Sequence, residues 1–191
     1  MARRLTKEDA ILVLIDFQER IMPAMDGKEA LEDAAARLVK GCRQLGLPAL
    51  VTQQYTKGLG ATIASIHQAL TQELPAAGEG GYDPIEKTTF SAMRTPEFAE
   101  RLKAAGRKTV ILAGIESHVC VQQTVIDLMD SGYTVFVAAD CVSSRKPLDR
   151  QMAESRMKAE GAVYTTMEAI LFELCLGAKE PGFKEISTIV K

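Results

Sequence analysis

Cys120 stands just beyond the apolar run Val110-Ile111-Leu112-Ala113, at the start of a helix predicted to begin near Val119. A thiol at the carboxyl end of a buried strand and the amino end of a helix meets unpaired backbone N–H groups, which favour the nucleophilic thiolate. A free thiol titrates near about 8.5, and a helix terminus contributes at most about 2 kcal/mol, roughly 1.5 pKa units, so a cation must assist at neutral pH. Lys87, after a short strand, can supply that charge and hold an acid in place. Asp16 follows the apolar run 11–15 and can take the thiol proton, then return it to a leaving group, if burial raises its proton affinity. The chemistry implied is attack by sulfur on a small substrate, with Cys120 expected to titrate below the free-thiol reference. Plainer readings stand beside it: Asp16 as a cap of the turn at Gln18, and Lys87 as a solvated lysine.

These residues need a scaffold that brings strand ends together. Runs rich in β-branched and aliphatic residues predict strands over 10–16, 47–52, 108–114 and 133–140, with shorter ones over 84–87 and 162–165. Helical patterns lie between them. Leu31, Ala34, Ala35, Leu38, Val39 and Cys42 form a 3.6-residue stripe over 28–45, closed by Gly46-Leu47-Pro48. Thr95-Pro96-Glu97 supplies an N-cap, a first-position proline and an acid ahead of a helix over 98–105, and further helices fit 119–131, 147–160 and 167–176. Strands that are apolar on both faces and alternate with helices predict an α/β fold, a three-layer α/β/α sandwich around a mostly parallel sheet. The stretch 74–83, rich in Gly and Pro, reads as a long surface loop inside one domain spanning 1–191. Ligands of such sheets bind beyond the carboxyl ends of the strands. Asp16, Gln53 with Gln54, Lys87, residues 114–120, and Asp140 with Cys141 end the expected strands, placing an acid, a base and a thiol on one rim.

Composition narrows the partners. With 191 residues, 47% hydrophobic, 25% charged and a net charge of −2, the chain lacks the concentrated positive face that nucleic acid or an anionic membrane requires. Its longest apolar runs are too short to span a bilayer, and Lys7, Glu8 and Asp9 interrupt the start where a secretory signal would be apolar. A cytoplasmic protein is expected. The four cysteines show no C-x-x-C spacing, so neither a zinc site nor a disulfide framework is indicated. Cys42 and Cys175 read as small buried hydrophobes, and Asp140-Cys141 as a pocket neighbour or structural pair.

Ile15-Asp16-Phe17-Gln18, the segment 86–92 (Glu-Lys-Thr-Thr-Phe-Ser-Ala) and the segment 114–121 (Gly-Ile-Glu-Ser-His-Val-Cys-Val) resemble, in order, three motifs of the isochorismatase-like cysteine hydrolase superfamily. The words at 51–60 and 169–174 are most similar to its YcaC-related and isochorismatase-domain-containing hydrolases. The resemblance spans nearly the whole chain. It implies a Rossmann-like sheet, an Asp16–Lys87–Cys120 triad, a cis peptide between Ile115 and Glu116 with the N–H groups of Glu116 and Cys120 receiving an oxyanion, and a homo-oligomer. Nicotinamidases of the superfamily carry an Asp-x-His metal motif where this chain has Gln53-Gln54-Tyr55, and amides and a phenol are poor ligands beside carboxylate and imidazole. No metal and no cofactor is therefore expected. Ser117 stands where the family often has Thr and keeps a hydroxyl able to cap the helix.

Phe17, Gln18, Tyr55, Phe90 and His118 are candidates for the pocket wall, with core packing an equal reading for the aromatics. Ser117-His118 lacks the G-x-S-x-G frame of a serine hydrolase, and His67 reads as a surface or packing residue. The function expected is a metal-independent cysteine hydrolase cleaving a small amide or related carbonyl compound through a Cys120 thioester. The alternatives are an oligomeric scaffold with little turnover, a redox sensor, or an ether hydrolase of the isochorismatase type.

Overall fold

Every residue of β1 (Ala10–Ile15) is buried, which only a strand covered on both faces can satisfy. The computed structural model, which describes residues 3–74 and 80–191, places it at the centre of one six-stranded sheet. The other strands are β2 (Ala49–Gln54), β3 (Ile85–Lys87), β4 (Thr109–Ile115), β5 (Thr134–Ser143) and β6 (Val163–Thr165). All neighbours pair in parallel, in the order β3-β2-β1-β4-β5-β6. Among the described residues eight α-helices flank the sheet: α1 (Lys28–Gln44), α2 (Thr56–Leu59), α3 (Ala64–Thr71), α4 (Pro96–Ala104), α5 (Gln122–Asp130), α6 (Pro147–Glu160), α7 (Met167–Cys175) and α8 (Phe183–Ile189). None is long and apolar enough to cross a membrane.

Alternation along the strands divides the core into two layers. Ala10, Leu12 and Leu14 share one core with apolar residues of α1, α3, α7 and α8, whereas Ile11, Val13 and Ile15 share the other with α4, α5 and α6. The stripe expected on α1 is its inward face: Leu31, Ala35, Leu38, Val39 and Cys42 are buried and Ala34 packs at the margin.

The strand order reverses direction between β1 and β4, the switch point where open parallel sheets leave a crevice at their carboxyl ends. Asp16 follows β1 there, and the turn bearing Cys120 follows β4. Gly114 lets the two strands approach. It pairs with Ile15, holds φ at +145°, and a Cβ on it would overlap the Ile15 carbonyl oxygen and side chain. Gly114→Ala is expected to lower stability by about 3 kcal/mol or more through overlap and backbone strain together. Thermal denaturation checks this, and an unchanged midpoint would refute the close-approach argument.

Local details depart from the sequence reading. Thr95 sits at the N-cap of α4 without capping it, because its hydroxyl pairs with Thr89 Oγ1 at 3.0 Å. The helix expected from Val119 opens earlier, as a π-helical turn over Ser117–Val121, and Ser117 Oγ is buried without a hydrogen-bond partner among the described residues instead of capping it. β5 runs on to Ser143, so Asp140 and Cys141 lie within the strand and not on its rim. α8 was not legible because it follows the Gly- and Pro-containing segment 177–182 and buries only Ile186. Of the loop expected over 74–83, residues 75–79 lie outside the described residues, as do Met1 and Ala2 of the amino-terminal reading.

Candidate active site

Lys87 is the innermost charge of the rim. Its side chain is wholly buried, and Nζ lies 2.7 Å from Oδ2 of the almost equally buried Asp16. A buried ion pair is stable only when its remaining hydrogen-bonding capacity is met. Nζ donates to Gln54 Oε1 at 2.7 Å and to the backbone oxygens of Thr89 and Phe90 at 3.2 and 3.1 Å. Thr52 Oγ1 donates to Asp16 Oδ1 at 2.7 Å. Nζ thus spends its hydrogens on three other acceptors and meets Asp16 through charge. Among the described residues Oδ2 accepts no aligned hydrogen bond and keeps a lone pair for an incoming proton. Asp16 itself adopts a left-handed backbone, φ 53°, as does Tyr55, φ 40°. Conformations of this kind cost about 1–3 kcal/mol each in a residue with a side chain and concentrate at functional sites.

Parallel register explains why these residues meet. Ile15 pairs with Thr52 and Gln54 with Lys87, so the ends of β1, β2 and β3 arrive at one level. Thr52 and Gln54 are the supporting residues that sequence reasoning missed in these roles. Their only signal was a polar run closing an apolar strand.

Cys120 sits in the π-helical turn and is 7% exposed. Thr124 Oγ1 donates to its carbonyl at 2.6 Å and accepts the Ala92 N–H at 3.0 Å, tying the turn to the loop after Lys87. Both partners act on the thiol. Burial first, then the charge and hydrogen bonding of Asp16, outweigh the opposing influence of Lys87 and push it up to about 12. This reverses the expectation of a thiol acidified below its reference. The cation is present as foreseen, but the anion beside it and the loss of solvent were left out of that balance. Cys120 therefore rests as the thiol at neutral pH, so sulfur must lose its proton as it attacks.

The other foreseen residues divide by burial. The Ile115–Glu116 peptide is cis. Glu116 is buried; desolvation raises its carboxyl, but hydrogen bonds from Arg145 N and Nε, both 3.0 Å, with the charges of Arg145 and His118, leave it below its usual value. Phe17 is 1% exposed and packs within the core of α1, α3, α7 and α8, the packing reading of this aromatic. Gln18, also buried, donates to the carbonyls of Gln54 and Gly60 at 3.1 and 2.7 Å and accepts the Gln54 N–H at 2.6 Å, stapling the segment after β2. Tyr55 and Phe90 are more than half exposed beside this rim: the Tyr55 N–H donates to the Lys87 carbonyl at 2.9 Å, and the Phe90 carbonyl binds Lys87 Nζ. His118 is part-buried beside Ser144. Asp140 accepts the Met167 N–H at 2.9 Å, at the start of α7, and Cys141 is buried, which makes them a structural pair. His67 lies on the surface with its ring edge-on to Tyr82.

A cavity of about 740 Å³ lies elsewhere, among Leu47, Pro48 and Ala49 at the amino end of β2 with Arg43, Arg101 and Arg107. Arg101 pairs there with Asp83 at 3.0 Å and Arg107 bonds the carbonyls of Lys7 and Glu8, so both cations are engaged. Among the described residues that line it there is no Cys, Ser or Thr, and Asp16, Lys87 and Cys120 lie at the opposite, carboxyl ends of the strands. Among the described residues no three His, Cys, Asp or Glu side chains converge to hold a metal.

Burial also raises Cys42 to about 12 and Cys141 well above its ordinary value. The folded state therefore holds these protons while the unfolded chain releases them above about pH 8.5. Stability is fully present below that pH and falls as pH rises toward 12, by up to about 1.4 kcal/mol per pH unit for each thiol. Urea titrations from pH 7.5 to 10.5 should show this decline, and Cys42→Ala should make it shallower; parallel curves for parent and variant would refute the cause.

Three comparisons place the chain among known proteins. Residues 10–169 match the family model described as Isochorismatase domain. Isochorismatase domain-containing protein 2 of Xenopus laevis is 36% identical over 188 residues, covering 98% of this chain and 86% of that protein. The structure of the MAR1 ribonuclease from Caenorhabditis elegans superposes with a TM-score of 0.88 at 35% identity, covering 98% of this chain and 92% of that one. The YcaC gene product of Escherichia coli, an octameric hydrolase of unknown specificity, superposes with the same TM-score of 0.88 at 23% identity over 99% of this chain and 90% of that one, a likeness of fold. With the domain model matched across all six strands and relatives aligned over nearly its full length, this chain belongs to the isochorismatase family.

Proposed function

We propose that this protein is a metal-independent cysteine hydrolase that cleaves a small amide or related carbonyl compound through a thioester on Cys120. The observation that carries the reading is the buried Asp16–Lys87 pair acting on the Cys120 thiol at the β1/β4 switch point, with Oδ2 open to a proton. Cys120 Sγ attacks the carbonyl carbon while its proton passes to Asp16, and Lys87 holds that carboxylate in place. The oxyanion receives the backbone N–H groups of Glu116 and Cys120, usually the larger electrostatic contribution to catalysis. Collapse expels the amine, which takes the proton from Asp16 and leaves a thioester. Water then attacks, Asp16 accepts its proton, and the acid product departs as the thiol is restored. Tyr55 and Phe90 would wall the pocket.

The test is a screen of small amides with the purified protein, with acylated Cys120 sought by mass spectrometry. Activity is expected to survive exhaustive chelation, since the amides of Gln53 and Gln54 close β2 and the phenol of Tyr55 follows it; abolition by chelator with recovery on stoichiometric metal would overturn the metal-independent reading. The C. elegans neighbour motivates a second reading, cleavage of RNA at the same site. Against it stands the net charge of −2, which offers little for phosphate contacts. Hydrolysis of an RNA oligonucleotide that is lost in Cys120→Ala, with no amide turned over, would favour it. Assembly into a homo-oligomer is part of the proposal, consistent with the exposed Leu148 and Met152 on α6 and with the octameric YcaC neighbour, and light scattering tests it.

A further inference from the structure

Besides the Thr124 tie to the loop after Lys87, the turn that carries Cys120 is held from outside by the segment 144–149. Glu116, just before it, accepts both the backbone N–H and Nε of Arg145 at 3.0 Å. His118, within it, places Nδ1 3.0 Å from Ser144 Oγ and Nε2 3.8 Å from Asp149 Oδ2, in the first turn of α6. Within the turn the N–H groups of Val119 and Val121 share the Glu116 carbonyl at 3.1 and 3.2 Å, the second with the five-residue π spacing that recurs at functional sites. Ser144 is anchored. Its carbonyl accepts the Asp26 N–H at 3.1 Å, and Ser143 Oγ donates to the Asp26 carbonyl at 2.7 Å.

Serine, histidine and aspartate in this order suggest a second nucleophile, but Ser144 is 0% exposed and no substrate can reach its oxygen. The role left to the imidazole is mechanical. We infer that His118 is a positioning residue for Cys120: by tying the π-helical turn to the anchored Ser144 and to α6, it sets where the sulfur stands relative to Asp16 and Lys87. The inference rests on Cys120 being the acylated nucleophile. Displacement of a reacting atom by about 1 Å can cost as much as about a hundredfold in rate, so loss of the tie should act on the rate of attack more than on substrate affinity.

The experiment uses the full chain and p-nitrophenyl acetate, an activated ester, following the burst of p-nitrophenolate and the mass of acetylated Cys120. His118→Leu should slow acylation at saturation by about tenfold or more while the half-saturating concentration moves less than about threefold. His118→Asn, whose amide can still reach Ser144, should recover most of the rate. Ser144→Ala removes the same bond with a single atom and should reproduce the loss, which keeps the test decisive if His118→Leu folds poorly. Equal acylation rates in parent, His118→Leu and Ser144→Ala overturn the inference and leave the hydrolase reading intact. A loss that His118→Asn shares fully, or that matches the fraction unfolded by circular dichroism, also overturns it. No acetyl-Cys120 in the parent overturns both.

Discussion

Cys120→Ala and Asp16→Asn are each expected to reduce turnover of the amide found by screening at least about a thousandfold, with the double variant little worse than either. The two residues act as one unit. Sulfur cannot attack without losing its proton, because burial and the Asp16 charge hold the thiol at about 12, and Asp16 has nothing to activate in the acylation step once sulfur is gone. Asp16→Asn keeps the side chain's size, so the hydrogen bond from Thr52 survives and the loss is one of charge and basicity. Circular dichroism must show both variants folded. A scaffold that keeps the fold for assembly alone would have no turnover to lose, and a single variant retaining most of the activity would disprove the Asp16–Lys87–Cys120 mechanism.

The second large effect runs in the opposite direction at the same residue. Asp16→Asn should make Cys120 react faster with iodoacetamide, even as it abolishes turnover. In the parent, Asp16 raises the thiol by charge and by hydrogen bonding while Lys87 lowers it. Removing the carboxylate leaves the buried ammonium unopposed, and below its pKa a thiol gains tenfold in thiolate for each unit that the pKa falls. A gain of at least about tenfold at pH 8 is expected in Asp16→Asn, and a loss of similar size in Lys87→Met. Rates across pH 7 to 10 with mass assignment of the alkylated residue decide it, because the fully buried Cys42 and Cys141 should remain protected in both variants. Should Asp16→Asn react more slowly than the parent, Asp16 would be activating the thiol at rest and the charge balance drawn around Cys120 would be wrong. The contrast matters for mechanism: acidity of the thiol and catalytic competence are set by Asp16 in opposite senses, so fast alkylation is not a proxy for activity in this site.

How far the chain can be read without its structure depends on the range of the forces involved. The apolar runs of β1, β4 and β5 and the stripe on α1 are local patterns with one efficient burial, and they determine a parallel sheet covered on both faces. Strand ends follow from the same patterns, so Asp16, Lys87 and Cys120 could be assigned to one rim before any coordinates. The strand order, and with it the switch point between β1 and β4, is a matter of pairing between distant segments. That pairing alone places Thr52 beside Asp16 and Gln54 beside Lys87. Asp140 shows the limit of a local boundary: continued pairing with β4 carries β5 past it to Ser143 and turns a rim residue into a partner of α7. The ionisation of Cys120 is the clearest case. Residue types declare that a thiol, an acid and an amine are present, but the sign of the shift is a difference between desolvation and two opposed charges, each set by burial and distance, and these exist only once the sheet is assembled.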